Sequence, residues 1–147
     1  GENTIPDSCE VRIGIRFPNA EVRDEIFEIL HRATNHNSVP DTTAELDLSR
    51  VMQCMDTTNG VMALFRHLQR TVQDCGFGEI GCFQVGGLSD SGITVACGVP
   101  TVCGMGVRGE GNHTPDEYAE VESLFQRSVL AACAAYTLND DFAKAAE

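Results

Sequence analysis

Apolar and polar residues alternate from Cys9 to Phe17, with Val11, Ile13, Ile15 and Phe17 on one side and Glu10, Arg12, Gly14 and Arg16 on the other. A period of two is that of a half-buried strand. Pro18-Asn19 interrupts the pattern, and Asn19 is a capping residue for a helix on which Val22, Ile26, Ile29 and Leu30 recur at helical spacing up to about Thr34. The polar stretch Asn35 to Thr42 closes that helix, and Ala44 to Met52 alternates again as a second strand. The opening third therefore predicts strand, helix, strand, a unit that lays its helix on one face of a sheet.

A change of pattern near Met55 and Asp56 suggests a boundary, with residues 1–55 and 56–147 as two parts. Beyond it, Asp56 to Cys75 predicts a helix with Thr57, Thr58 or Asn59 as its cap, with Val61, Leu64, Phe65, Leu68 and Val72 on one side and Gly76 as its stop. A short apolar strand from Glu79 to Val85 leads into Gly86-Gly87-Leu88-Ser89-Asp90-Ser91-Gly92, then a modest helix ending at Gly98. Val99 to Val107 is a continuous apolar run, as expected of a strand covered on both faces. A polar, glycine-bearing loop follows. From Pro115 a last helix is expected to run to about Leu138, with Val121, Leu124, Phe125, Val129 and Ala132 inward. The fold class is α/β.

Charge narrows the set of partners. With 22 acidic and 10 basic residues the chain carries a net charge of −12, which repels phosphate backbones and anionic lipid surfaces, so neither nucleic acid nor membrane is an expected partner. No apolar run approaches the ~20 residues that span a bilayer, so a soluble chain is expected. The seven cysteines, odd in number and without paired short spacings, suggest reduced thiols in a cytoplasmic protein rather than a disulfide framework or a structural zinc site. Lying mostly in apolar segments, they are expected to act as small core residues.

Few residues suggest chemistry. His113 follows an apolar strand and a glycine-bearing loop and precedes Thr114-Pro115-Asp116-Glu117, a helix start. Loops at the carboxyl ends of strands are where α/β proteins hold ligands, and neutral imidazole is a common zinc ligand; a lone histidine there can equally be a surface or capping residue. Glu117 can orient the His113 loop, or simply complement the dipole of the helix. Gly86 and Gly87, with Ser89 after them, allow backbone to approach a carboxylate at a helix amino terminus, although Gly-Gly turns without a ligand are common. Arg16 can grip a carboxylate through a bidentate pair or stand in solvent. Asn3 is as well placed for a turn as for a substrate contact. His31, His36 and His67 are expected to be surface residues, and a Ser89-His113 nucleophilic pair lacks the elbow motif that would support it.

Taken together, the segments resemble the clan of zinc peptidases that includes glutamate carboxypeptidase, aminoacylase, acetylornithine deacetylase and succinyl-diaminopimelate desuccinylase. Asn3-Thr4-Ile5-Pro6-Asp7 and the strand Cys9 to Arg16 look like the clan's Asn-x-Ile-Pro segment and the strand after it. Gly86-Gly87-Leu88-Ser89-Asp90 looks like its glycine-rich Ser-Asp loop, and Gly98-Val99-Pro100-Thr101 like the strand entry that follows. The most specific likeness is Gly109 to Tyr118, GEGNHTPDEY, similar to the loop that brings the last zinc ligand.

The resemblance implies half of a ferredoxin-like lid, β-α-β, over residues 1–55, followed by the carboxy-terminal α/β segment of a catalytic domain. It implies His113 as a zinc ligand and Glu117 as support for its loop. Asn3 and Arg16 would be lid contacts to the substrate, and Gly86, Gly87 and Ser89 would line the carboxylate pocket. Complete members use two zinc ions to cleave amide bonds in small peptides or N-acyl amino acids, and many dimerise through the lid. The clan's His-x-Asp motif, bridging aspartate, Glu-Glu pair, second zinc carboxylate and lid histidine are expected ahead of Asn3, outside this sequence. Gly14 also stands where aspartate is usual, and Leu88 breaks a run that is often three glycines. One histidine cannot hold zinc, since a catalytic ion takes about three protein ligands. The chain alone is therefore expected to be inactive. The alternative is a non-enzymatic remnant that dimerises or binds partners through unpaired strand edges.

Overall fold

A computed structural model describes residues 3–139. Its elements are α1 (Ala20–Thr34), α2 (Asn59–Asp74), α3 (Ser91–Ala96), β1 (Gly109–Glu110), β2 (Tyr118–Ala119) and α4 (Val121–Thr137). Helices mixed with a small two-stranded antiparallel sheet place the chain in a general α/β class.

Local chemistry accounts for the helix ends. Asn19 accepts from the Val22 amide at 2.9 Å and opens α1, while Thr58 accepts from the Val61 amide at 3.2 Å and opens α2. Such caps satisfy amides that have no partner in the first turn. At the other end of α2, Gly76 adopts φ +71 and donates to the Gln73 carbonyl, and the Phe77 amide donates to Val72. This pair of bonds is the left-handed glycine stop, and Phe77 packs back against the core that includes Val72. Gly98, at φ +82, ends α3 in the same way, with the Val99 amide reaching the Thr94 carbonyl.

Helix α4 begins later than its sequence predicts. Tyr118 pairs with Glu110 and Ala119 with Gly109, so residues after Pro115 are drawn into a hairpin before the helix starts. Arg108 and Glu120 lock the entry: the Glu120 amide donates to the Arg108 carbonyl at 2.8 Å, and the Arg108 guanidinium pairs with the Glu120 carboxylate at 3.0 Å. The buried Ser123 hydroxyl accepts from the Arg108 amide and donates to the Glu120 carbonyl.

The inward face of α4 differs from expectation too. Ser123, Leu130 and Ala134 are buried, whereas Val121, Leu124, Phe125 and Val129 are exposed. The helix is apolar on two faces, and α2 covers only one. Leu68 and Val72 of α2 meet Leu130 and Ala134 of α4, with Phe77, Ile80, Val102 and Met105 around them. Val72 and Leu130 keep 1% and 2% of their surface, and each such side chain contributes about 1.5–3 kcal/mol by leaving water. His67 is not a surface residue: it is half-buried and its Nε2 donates to the Ala134 carbonyl at 2.9 Å, stitching α2 to α4.

The segments expected as strands at 9–17, 44–52, 79–85 and 99–107 carry no strand pairing among the described residues. Alternation specifies which face of a segment is apolar, but a strand exists only where a second one supplies the ladder. Between residues 9–18, 43–55 and 79–89 and the face of α2 bearing Val61, Phe65 and Leu68 lies an open hollow of about 2660 Å³. That is larger than the ~300–1,000 Å³ of small-molecule pockets, and so marks space between unpaired segments rather than a ligand cavity.

Candidate functional site

Two of the candidate segments come together. The Arg16 guanidinium donates to the Gly86 carbonyl across a separation of 70 residues. An added Cβ at Gly86 would stand 3.3 Å from Arg16 Cδ, so glycine gives the arginine room to lie along the loop. Nearby in sequence, Gln84 donates to the Pro18 carbonyl at 3.3 Å, a second tie between the same two stretches. Arg16, Gly86 and Gly87 are all exposed, so the guanidinium's other donors face solvent at the edge of the hollow.

The rest of the glycine loop turns inward on itself. Ser89 accepts from the Ser91 hydroxyl at 2.9 Å and from the Ser91 amide at 3.3 Å, and its own oxygen lies 3.2 Å from Cys103 Sγ. The next amides are also engaged, Gly92 to the Ser89 carbonyl and Ile93 and Thr94 to that of Asp90. A carboxylate at this loop would therefore rely on Arg16 and not on free amides of α3. Hydrogen bonds from Ser89, and secondarily Ser91, hold the Cys103 thiol below its ordinary pKa against a smaller opposing effect of burial. Sequence reasoning missed Cys103; its position two residues after Thr101 in an apolar run gave no sign that it would meet two serines.

His113 lies on a separate feature. It is exposed at φ +67 in the loop between β1 and β2. Gly111 and Thr114 build that loop: the Thr114 amide and hydroxyl both donate to the Gly111 carbonyl, at 3.0 and 2.7 Å, and the Glu117 amide donates to Thr114. Gly109 is required beside it, since a Cβ there would stand 2.0 Å from the Tyr118 carbonyl oxygen. Glu117 is exposed in the same loop, and Asn3 is exposed at the start of the described chain. Among the described residues no hydrogen bond joins the His113 ring to Arg16 or to Ser89, and no group of three or more His, Cys, Asp or Glu side chains converges as a metal site would require.

The seven cysteines are free. Their expected role as core residues is not what the structure shows: Cys9, Cys82, Cys97 and Cys103 are exposed, and Cys54, Cys75 and Cys133 are half-buried. No helix among the described residues is long and apolar enough to cross a membrane. No family model, curated protein or solved structure matches the chain.

Proposed function

We propose that the chain is the carboxy-terminal part of a zinc-dependent metallopeptidase or amidohydrolase that cleaves amide bonds of small peptides or N-acyl amino acids, and that it is inactive alone. The contact of Arg16 with Gly86 carries this reading. Two segments singled out separately as substrate-carboxylate contacts meet although they lie far apart in sequence. Residues 1–55 are read as half of a ferredoxin-like lid, and the protein as a cytoplasmic homodimer. Helix α4 adds support. Its exposed stripe, Val121, Leu124, Phe125 and Val129, is what a helix shows when it is built to be covered on both sides within a larger domain.

The described residues do not fit a zinc ion by themselves. His113 is a suitable donor on an accessible loop, but the further ligands that zinc needs do not converge on it. On this reading they come from outside this chain. The chain's own residues supply recognition: Arg16 is the charge that a substrate carboxylate would pair with, and Gly86 and Gly87 keep its approach free of side chains.

Titration of the chain with an N-acetyl amino acid, followed by amide NMR, tests this assignment. Saturable shifts at Arg16, Gly86 and Gly87 are expected, and Arg16→Ala should weaken binding by about tenfold or more, the worth of a charged hydrogen-bonded pair. Absence of shifts with any N-acyl amino acid overturns the substrate assignment. Tight uptake of two zinc ions by the chain alone overturns the incomplete site.

A second reading is favoured by a different observation. Val11, Ile13 and Phe83 are exposed in unpaired segments, Phe83 to 87%, as in a module that pairs edge to edge with another copy. A stable dimer in sedimentation, with those residues protected and no response to N-acyl amino acids, would select it.

A further inference from the structure

We propose that Cys103, Ser89, Ser91 and Arg16 form a thiol-exchange site, which takes a small carboxylate-bearing disulfide of the glutathione class and holds one half of it on Cys103. The four side chains come from three stretches of the chain joined at the loop that starts at Gly86. Ser91 is buried, and its hydroxyl and amide both donate to Ser89 Oγ, at 2.9 and 3.3 Å. That oxygen lies 3.2 Å from Cys103 Sγ. A hydroxyl has two lone pairs and one proton, so with both lone pairs engaged by Ser91 the proton is left for the sulfur. A donor so placed favours the thiolate over the thiol, and the hydroxyl behind it polarises the bond further. The Cys103 thiol is accordingly held below its ordinary pKa, chiefly by Ser89. Cys103 is also exposed, so a reagent can reach it.

Arg16 supplies the second, independent feature. Its guanidinium donates to the Gly86 carbonyl and, among the described residues, makes no ion pair, so its charge is left for an anion. Gly86 stands three residues before Ser89, a backbone span of at most about 10 Å, and an extended tripeptide such as glutathione covers a similar length. A carboxylate can therefore rest on Arg16 while a disulfide sulfur of the same molecule meets Cys103. On a chain of net charge −12 an anionic disulfide is repelled from most of the surface, so a local cation decides which thiol it reaches.

The exchange is balanced with the disulfide as the only co-reactant. The Cys103 thiolate attacks one sulfur of glutathione disulfide, a bond forms between the two, and the disulfide bond of the reagent breaks. The departing glutathione thiolate keeps the electron pair and takes a proton from water. One disulfide is consumed and one is made. As the thiolate forms, the Ser89 hydroxyl donates to it, and the bond loosens once the sulfur has become part of the neutral mixed disulfide. The site is independent of the hydrolase reading: N-acetyl amino acid shifts at Arg16 do not need Cys103 and should persist in Cys103→Ser, so each idea can fail alone.

The test exposes the 147-residue chain to glutathione disulfide and, separately, to uncharged hydroxyethyl disulfide, and follows the adduct at each cysteine by mass spectrometry of its peptides. Cys82 and Cys97 are the references, being exposed but, among the described residues, without a side-chain hydrogen bond. With glutathione disulfide Cys103 should react about tenfold faster than either. Ser89→Ala should slow Cys103 several-fold with both reagents, while an unchanged rate at Cys97 shows that the fold persists. Arg16→Gln should lower the ratio of the glutathione rate to the hydroxyethyl rate at Cys103 about three- to fivefold, the worth of an exposed charge pair, and Arg16→Lys should keep most of it. If Cys103 reacts no faster than Cys82 and Cys97, the serine-activated thiolate is overturned. If the ratio is the same in Arg16→Gln, the carboxylate contact is overturned, and with it the choice of disulfide.

Discussion

Helices α1 and α2 have 15 and 16 residues, and both open on a side-chain cap, yet α2 buries six residues and α1 none. The difference is a partner. Helix α2 lays Leu68 and Val72 against Leu130 and Ala134 of α4 and gains a hydrogen bond through His67. Helix α1 has an apolar stripe of its own, but the segments 9–17 and 44–52 that would cover it carry no pairing. Among the described residues its side-chain hydrogen bonds to the rest of the chain lie at its first turn, where Asp56 accepts from the Ala20 amide at 3.2 Å and Arg23 donates to Gln53 at 3.0 Å. Periodicity and caps decide that a helix forms; tertiary cover decides what it contributes to stability.

Replacing one residue in each region puts that contrast at greatest risk. Leu130→Ala removes a side chain that is 2% exposed and should cost about 2–5 kcal/mol in urea unfolding. Ile29→Ala, at 54% exposure on α1, should stay within about 0.5 kcal/mol. Equal losses at the two sites would break the comparison.

The tie between the regions is the next target. An added Cβ at Gly92 would stand 2.2 Å from the Gln53 carbonyl oxygen, so α3 packs directly on the stretch that also holds α1. Gly92→Ala should cost about 1–3 kcal/mol by forcing these backbones apart, and hydrogen exchange should show α3 and the first turn of α1 losing protection together. Gly81→Ala, with nothing within 4 Å of its Cβ position, is the control and should change neither.

Features set by near neighbours were legible in the sequence. Asn19, Gly76 and Gly98 mark helix ends, and the cap of α2 falls on Thr58, one of three adjacent candidates; each acts within five residues of its own position. The reading failed where the determinant was distant. Four alternating or apolar segments predicted strands without saying what would pair with them. Helix α4 has apolar residues on two sides, so its pattern could not tell which side meets α2. At the candidate site, Arg16 and the Gly86 loop were both picked out on residue type, but only the fold brings them into contact. Nothing in the segment around His67 names Ala134 as a partner, and Ser89 lies 14 positions from Cys103, so neither contact is legible from local sequence.

The caps offer a finer version of the contrast. Thr58→Ala removes the oxygen that satisfies the Val61 amide and should cost about 1 kcal/mol of global stability, because α2 unfolds with the core. Asn19→Ala removes an equivalent bond from α1. Its loss should be seen as fraying of the first turn by hydrogen exchange, with a change of less than about 0.5 kcal/mol in global unfolding.

The smallest effect separates two thiols. Cys103 is held below its ordinary pKa by the Ser89 hydroxyl, while partial burial and Cys133 push Cys75 above its own. Only the thiolate attacks an alkylating agent, so its fraction at a given pH sets the rate. A lower pKa also makes the thiolate a weaker nucleophile, but with a sensitivity of about 0.4–0.5 per pKa unit this loss is smaller than the tenfold gain in thiolate fraction. Near neutral pH, iodoacetamide should therefore modify Cys103 several-fold faster than Cys75. As the pH rises, the Cys103 rate should level off first, while that of Cys75 should still be climbing. Ser89→Ala should move the Cys103 profile upward in pH and leave that of Cys75 in place. Coincident profiles for the two thiols in the native chain would mean that the serine pair does not engage Cys103 in solution.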